Sequence, residues 1–341
     1  MLITPANLNI FFTALDTRFW QAFSDAPVWH EQVCTVYPTN TEQWLMGWIG
    51  MLDKLRVWKG ARVTHSPAPQ TYGVTILPFE LTEAIDEFKL EDDTHGIYGP
   101  TVAHMGEMAA KWPDYTVRDL IEGLGDFAST AAQLGPDGVS FWNTAHPVNY
   151  YNAGQGTYCN DYGASGTSIN SVTVGGTLST QAWATVWQDM ASRKNESGEK
   201  IGLQPDLSMV ATYNGFAIKT ITQSAFFAPP VLGNLGTGNV PTAGSPTPAN
   251  APFVGAMDNP LRGQTDAFIN FDLTVQAAWY MLTTRRVIKP FGWILRRAPS
   301  LTPRTSPTDP SVFDTHTYQY GVVARGAPAW SLPWLASRSG V

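Results

Sequence analysis

The sequence predicts an α+β subunit of two lobes, and three observations carry that expectation. Residues 97–125 hold a long helical pattern. The last quarter of the chain returns to strand-like runs such as DAFINFDL, AAWYML and YQYGVVARGAPAW. A length of 341 residues exceeds what one hydrophobic core usually organises.

The long pattern comes first. Tyr98, Val102, Met105, Ala109 and Trp112 recur at three- and four-residue steps, one face of a helix, and Val117, Leu120, Ile121 and Leu124 restart it after Pro113. Pro113 lacks a backbone donor, so a kink or short break is expected there. At 1.5 Å per residue the run spans about 40 Å, suited to a stiff beam across a subunit. Glu91, Asp92 and Asp93 sit just ahead, where carboxylates favour the positive end of the helix dipole. With no His or Cys at ligand spacing, they read as capping and solvated charge rather than a metal or acid/base site.

The remaining elements follow in order. NLNIFFTALDTRFWQAF reads as a helix with Phe12, Leu15, Phe19 and Phe23 on its apolar side and Asn9 as its cap. VCTVYPTNTEQW reads as a strand and a turn. From Trp44 the chain is rich in Trp and Leu up to Val63, and QTYGVTILPFELTEAI follows. There Tyr72, Val74 and Ile76 alternate, while Phe79 and Leu81 take the opposite parity, a switch that suits a turn or bulge at Leu77-Pro78 in a projecting hairpin. A short strand is expected at Val139–Trp142. The 152–177 stretch, rich in Gly, Ser, Asn and Thr, reads as a long loop or small hairpin. Its GQGTYC lacks the third glycine of a dinucleotide fingerprint. A second amphipathic helix carries Trp183, Val186, Trp187 and Met190, then a strand (Leu207–Ala211) precedes another helix. Residues 228–252 are a Pro/Gly-rich loop, and strands follow to the end, through RRVIKPFGWILRRAP and VFDTHTYQYGVVARGAPAW.

Composition narrows the function. Charged residues make up only 14% against 43% hydrophobic, with 13 Trp and 25 Pro. A soluble monomer normally carries about 25% charge, so much of this surface is expected to be covered by other subunits. The net charge of −7 argues against general nucleic-acid binding. Arg285, Arg286, Lys289, Arg296 and Arg297 alternate with apolar residues and read as a solvated or salt-bridged strand face. Cys34 and Cys159 make no disulfide framework and fit a reducing compartment. Neither a signal peptide nor an apolar run of membrane-spanning length is evident.

Four stretches in order resemble the major head protein family of phage Mu and Mu-like prophages. They are GWIGMLDKLRVWKGARV, with Asp53 where the family has Pro; IDEFKLEDDTHGIYGP with AAKWPD; FWNTAHPVN, with Asn143 and Ala145 where Asp is commoner; and the C-terminal series NPLRG, AAWYML, RRVIKPFGWILRRAP and YQYGVVARGAPAW. The resemblance implies the Hong Kong 97-type capsid fold. On that fold, residues 1–45 are expected as an N-terminal arm and 46–85 as the extended hairpin loop with its flanks. Residues 86–149 would be the peripheral domain with its spine helix, 150–265 mainly the axial domain, and 266–341 strands completing the peripheral domain.

The expected function is a self-assembling major capsid protein, forming pentamers and hexamers of an icosahedral head around double-stranded DNA that it binds without sequence specificity. No cofactor, metal, catalytic residue or membrane is expected. A scaffolding protein and a portal are expected partners, with a decoration protein as a further one. The arm begins near the first residue, so the scaffold is expected to be a separate protein. Assembly is expected in the host cytoplasm. The competing readings are a nanocompartment shell of the same fold and a hydrolase using His146, Asp314 or His316. No G-x-S-x-G or H-E-x-x-H motif supports the hydrolase, and a His in a turn is usually structural. Lys54 and Lys59 lie in the expected extended loop, where some relatives of the fold cross-link through Lys–Asn bonds; here they read as solvated.

Overall fold

The computed structural model describes residues 5–48, 70–92, 98–135, 137–149, 153–163, 168–169, 172–174, 176, 178–227, 257–304, 306 and 310–341. The expected loop with Lys54 and Lys59, Asp93, and the Pro/Gly-rich 228–252 stretch lie outside the described residues.

Its helices are α1 (Pro5–Asp25), α2 (His30–Val33), α3 (Glu87–Glu91), α4 (Tyr98–Glu122), α5 (Ala128–Ala131), α6 (Thr180–Ser192), α7 (Gly215–Gln223) and α8 (Pro310–Thr315). The first strands are β1 (Cys34–Pro38), β2 (Gln43–Trp48), β3 (Gln70–Thr75) and β4 (Leu77–Asp86). Short pairs follow: β5 (His146–Pro147) with β6 (Thr157–Tyr158), and β7 (Ser168–Ile169) with β8 (Val172–Thr173). Then come β9 (Leu207–Val210), β10 (Phe226–Phe227), β11 (Met257–Asp258), β12 (Asp266–Ile269), β13 (Trp279–Leu282), β14 (Phe291–Arg304), β15 (Thr317–Trp330) and β16 (Ala336–Ser339).

The chain divides into two compact units. The first comprises residues 1–45, 73–120 and 292–329; the second comprises 46–72, 121–291 and 330–341.

The first unit lays α1 and α4 on a sheet of order β1-β14-β15-β4. Leu8, Phe12, Leu15 and Phe19 of α1 meet Val102, Met105 and Ala109 of α4 and Tyr318, Tyr320 and Val322 of β15 in one core. Each Leu, Phe, Val or Met among them contributes about 1.5–3 kcal/mol on burial. The expected apolar side of α1 is therefore the buried one, but Asn9 is not its cap. The helix starts at Pro5, whose missing N–H costs nothing in a first turn, and the Asn9 carbonyl accepts from Thr13 Oγ1 inside the helix at 2.7 Å.

Helix α4 runs unbroken through Pro113 for 25 residues, about 38 Å, which corrects the expected break. Buried Val102, Met105, Ala109 and Trp112 hold it before the proline, and Val117 and Leu120 after it. Of the acidic triplet, Glu91 and Asp92 belong to the end of α3. Asp86 caps that short helix at its start, accepting from Lys89 N at 3.0 Å.

The parity switch has a different cause from a turn. Strand β3 pairs with β2, whereas β4 pairs with β15 from Thr317↔Asp86 to Gly326↔Leu77. Ile76 is the step between two sheets.

The second unit is built on a sheet of order β12-β9-β13-β16, with β9 parallel to β12 and antiparallel to β13. Every residue of β9 and β13 is buried, as expected of central strands covered on both faces. Trp183, Val186 and Met190 of α6 and Ile218 and Ile221 of α7 pack against Val210, Trp279 and Met281. Ser179 caps α6, accepting from Ala182 N at 3.1 Å.

Three further expectations need correction. No strand forms at Val139–Trp142, where an isolated bridge Leu134↔Ser140 and side-chain anchors replace a ladder. The VFDT stretch belongs to α8, before β15 begins. Arg285, Arg286 and Lys289 lie in the bend before β14 rather than on a strand.

Candidate assembly surfaces

In the first unit, a cleft of 280 Å³ opens between α4 and the sheet. Alternation along β4 turns Phe79 and Leu81 toward it, and helical spacing brings Met108, Trp112 and Tyr115; Val322 and Ala324 of β15 form part of its floor. The Trp112 ring stands edge-on to Trp293 at 4.9 Å and lies 5.1 Å from Phe79. Gly326 makes room for it, since a Cβ there would lie 2.9 Å from the Trp112 ring.

One turn on, the buried Asp114 carboxylate accepts from His30 N at 2.8 Å and from Trp29 N at 3.1 Å, and meets His30 Nδ1 at 2.6 Å. This acid ties the start of α2 to the middle of α4. On the outer face, the Lys111 ammonium beside Glu107 holds its carboxyl below the usual range.

The second unit contains a buried polar network. His146 is fully buried, with Nδ1 at 2.6 Å from Asp137 Oδ2 and Nε2 at 2.9 Å from the Phe141 carbonyl. Asn160 donates to the Phe141 and Pro333 carbonyls and accepts from Asn143 N. The guanidinium of Arg193 donates to the carbonyls of Trp334, Ala336 and Cys159 and to Ser337 Oγ. Arg338 pairs with Asp161 at 2.7 Å and lies over the Trp142 ring. The Trp142 indole donates to the Ile121 carbonyl, and Phe141 stacks on Trp330 at 4.2 Å. These bonds fasten Phe141, Asn160, Asp161 and Arg193 to the C-terminal segment. Burial pushes the Cys159 thiol up to about 11 and the Tyr158 and Tyr162 phenols higher still, so all three stay protonated at neutral pH.

None of this resembles a hydrolytic site. Both His146 ring nitrogens already face oxygen acceptors, and the ring is sealed from solvent. His316 pairs with Glu87 at 3.0 Å, and Asp314 is exposed on α8. His316 and Asp314 belong to the first unit and His146 to the second. Among the described residues, no three His, Cys, Asp or Glu side chains converge as metal ligands, and no helix is long and apolar enough to cross a membrane.

The basic residues of the expected strip are partly spent inside the fold. Asp206 accepts from Thr284 N and Arg285 N at 2.7 Å each, and Arg285 pairs with Asp266 at 2.8 Å. Arg286 donates to the Gly202 carbonyl.

What the sequence reading missed is a set of exposed aromatics. Tyr213, Phe216 and Phe271 are 69%, 88% and 78% exposed at one end of the second unit's sheet. A signal existed for Phe216: on α7 it falls with Lys219 and Thr220, off the Ile218 and Ile221 face.

The family model for the Mu-like prophage major head subunit gpT matches residues 8–173 and 255–340. The chain belongs to that family. Among its relatives, the major capsid protein of Escherichia phage Mu is 30% identical over 148 residues, 43% of this chain and 47% of that protein. The Mu-like prophage FluMu major head subunit of Haemophilus influenzae is 24% identical over 146 residues, 43% of this chain and 46% of that one. These matches thus span about half the length of the curated relatives.

The chain also shares its fold with solved capsid subunits. A subunit from the procapsid of bacteriophage JBD30 superposes with a TM-score of 0.55 at 24% identity, over 99% of this chain and 76% of that one. One from the capsid of cyanophage P-SCSP1u gives 0.52 at 10% identity, over 92% and 88%. The fold is the Hong Kong 97-type capsid fold, and these relatives are structural proteins, not enzymes.

Proposed function

We propose that this head subunit is the repeating unit of an icosahedral phage head, in which pentamers and hexamers of the chain close around double-stranded DNA. The observation that carries the reading is the family match, which spans both ends of the chain and both compact units. The chemistry is association. The rigid α1–α4 layer sets subunit shape, and exposed apolar surface is covered by neighbouring copies, with closed symmetry limiting growth. The first unit is assigned as the peripheral domain with α4 as its spine. The second is assigned as the axial domain, which carries that domain past residue 265 because β12, β13 and β16 share a sheet with β9. Residues 1–45 are the arm, lying on the peripheral core through α1, and 46–85 hold the extended loop with its flanks, of which β4 joins the peripheral sheet. A net charge of −7 suits a container that holds DNA without gripping it. A scaffolding protein and a portal take part in assembly in the host cytoplasm.

Electron microscopy of the full chain, expressed alone and together with the other head-assembly genes, tests this. Closed shells of uniform diameter are expected. A chain that stays monomeric in both settings overturns the reading.

A further inference from the structure

Strand β4 is an edge of the first unit's sheet. In the order β1-β14-β15-β4, no strand among the described residues pairs with its outer side. Glu87 N donates to the His316 carbonyl at 2.8 Å, and the antiparallel register runs on from there to Gly326↔Leu77. Hydrogen-bonded pairs alternate in such a ladder. Phe79, Leu81, Glu83 and Ile85 therefore bond to β15, while Pro78, Glu80, Thr82 and Ala84 turn their main-chain groups outward. Two facts agree with this assignment. Pro78, which has no N–H to give, falls in the outward set, and all four outward residues are exposed. A ten-residue edge of this kind is a template for another strand.

The cleft beside α4 supplies the other half of a recognition groove. Phe79, Glu80 and Leu81 of β4 form one side of it, and Met108, Trp112 and Tyr115 of α4 the other. A strand laid along β4 would send every second side chain toward α4, into this apolar space. Trp112 is 9% exposed, and its indole N–H has no hydrogen-bond partner among the described residues. A buried donor of that kind is satisfied by an acceptor entering the cleft. Charge then selects the occupant. Residues 77–86 carry Glu80, Glu83 and Asp86 and no Lys or Arg. Of the nearby cations, Lys111 is spent on Glu107, and Arg325 stands opposite Pro78 at the far end. A second β4 edge would set acid against acid, as would any acidic strand. We infer that the β4 edge and its cleft dock an extended segment of a different protein, apolar at alternate positions with Lys or Arg between them, added as a further strand. This goes beyond the head-subunit reading and does not depend on it.

The probe is a labelled synthetic peptide that alternates Val with Lys and matches β4 in length. Fluorescence anisotropy reads its binding to the full-length unassembled subunit, and hydrogen exchange reads the amides of Glu80, Thr82 and Ala84. Binding is expected to slow exchange at those three amides at least tenfold. Glu80→Lys, and Thr82→Pro, which removes an outward N–H and no bond to β15, are each expected to melt like the wild type and bind the peptide at least tenfold more weakly. Two altered peptides test the same contacts with the protein unchanged: one has Glu in place of Lys, and one is N-methylated along the edge that would face β4. Both are expected to lose at least tenfold in affinity. Equal binding by either altered peptide, or unchanged exchange at the three amides, overturns the inference. So does a shell of this chain alone in which those amides are already protected, because a second copy then covers the edge. Each of these results leaves the head-subunit reading in place.

Discussion

Gly106 stands in the middle of α4, and replacing it with alanine sets two effects of opposite sign against each other. Alanine in a helix interior is favoured over glycine by about 1 kcal/mol. A Cβ at position 106, however, would lie 2.4 Å from the Phe19 carbonyl oxygen and 3.2 Å from its carbon. That neighbour is the backbone of α1, which cannot swing away as a side chain can. To reach even 3.0 Å, the helices must part by about 0.6 Å. A gap of that size forfeits roughly a quarter of each dispersion contact it opens, here those of Phe12, Leu15 and Phe19. Overpacking of this kind costs about 1–3 kcal/mol, so the clash outweighs the propensity gain. Gly106→Ala is expected to destabilise the first unit by up to about 2 kcal/mol and to lower its melting temperature by up to roughly 7 °C. Calorimetry or circular dichroism of the unassembled subunit reads this directly. A melting temperature that rises would refute the close α1–α4 approach, because propensity would then be acting unopposed.

Other expectations follow from the buried polar groups. Asp114→Ala leaves Trp29 N and His30 N without their acceptor in a dry site and is expected to cost about 3 kcal/mol in urea unfolding; a change under about 0.5 kcal/mol would mean the tie to α2 is not made. Arg193→Met strips the donors from three carbonyls and is expected to speed amide exchange across residues 334–339, with wild-type exchange rates there counting against the network. The Cys159 thiol ionises near 9 when unfolded but only at about 11 in the fold. Its stabilising contribution is therefore complete below pH 9 and lost as the pH rises toward 11. Alkylation of the native subunit should climb over that same window; a half-maximal rate near pH 8.5 would contradict burial of the thiol.

Much of the local structure was legible from period alone. The steps Val102, Met105, Ala109 and Trp112 on α4, and Trp183, Val186 and Met190 on α6, name the faces that the fold buries. Tyr72, Val74 and Ile76 alternate and are all buried. The failures share a cause. Pro113 was expected to interrupt its helix because the rule counts one lost hydrogen bond, whereas burial on both sides of it holds the helix together. The Val139–Trp142 segment has strand-like residues, but its groups are satisfied by Asn160, Ile121 and Trp330 from far along the chain. Strand β16, Ala336–Ser339, is mostly polar and carries no apolar period, yet Ser337 and Ser339 are fully buried because β13 and the Val174 carbonyl supply their partners.

By itself, then, the sequence determined the long helix and its buried face, the low surface charge and the capsid family, because periodicity, composition and motif order are properties of neighbouring residues and their order. Only the tertiary structure decided that His146 is a sealed strut, that β14 joins β1 and β15 while β12 joins β9, and that Tyr213, Phe216 and Phe271 are left uncovered together. Those outcomes depend on which distant segment reaches a group first and satisfies it, and no local pattern records that.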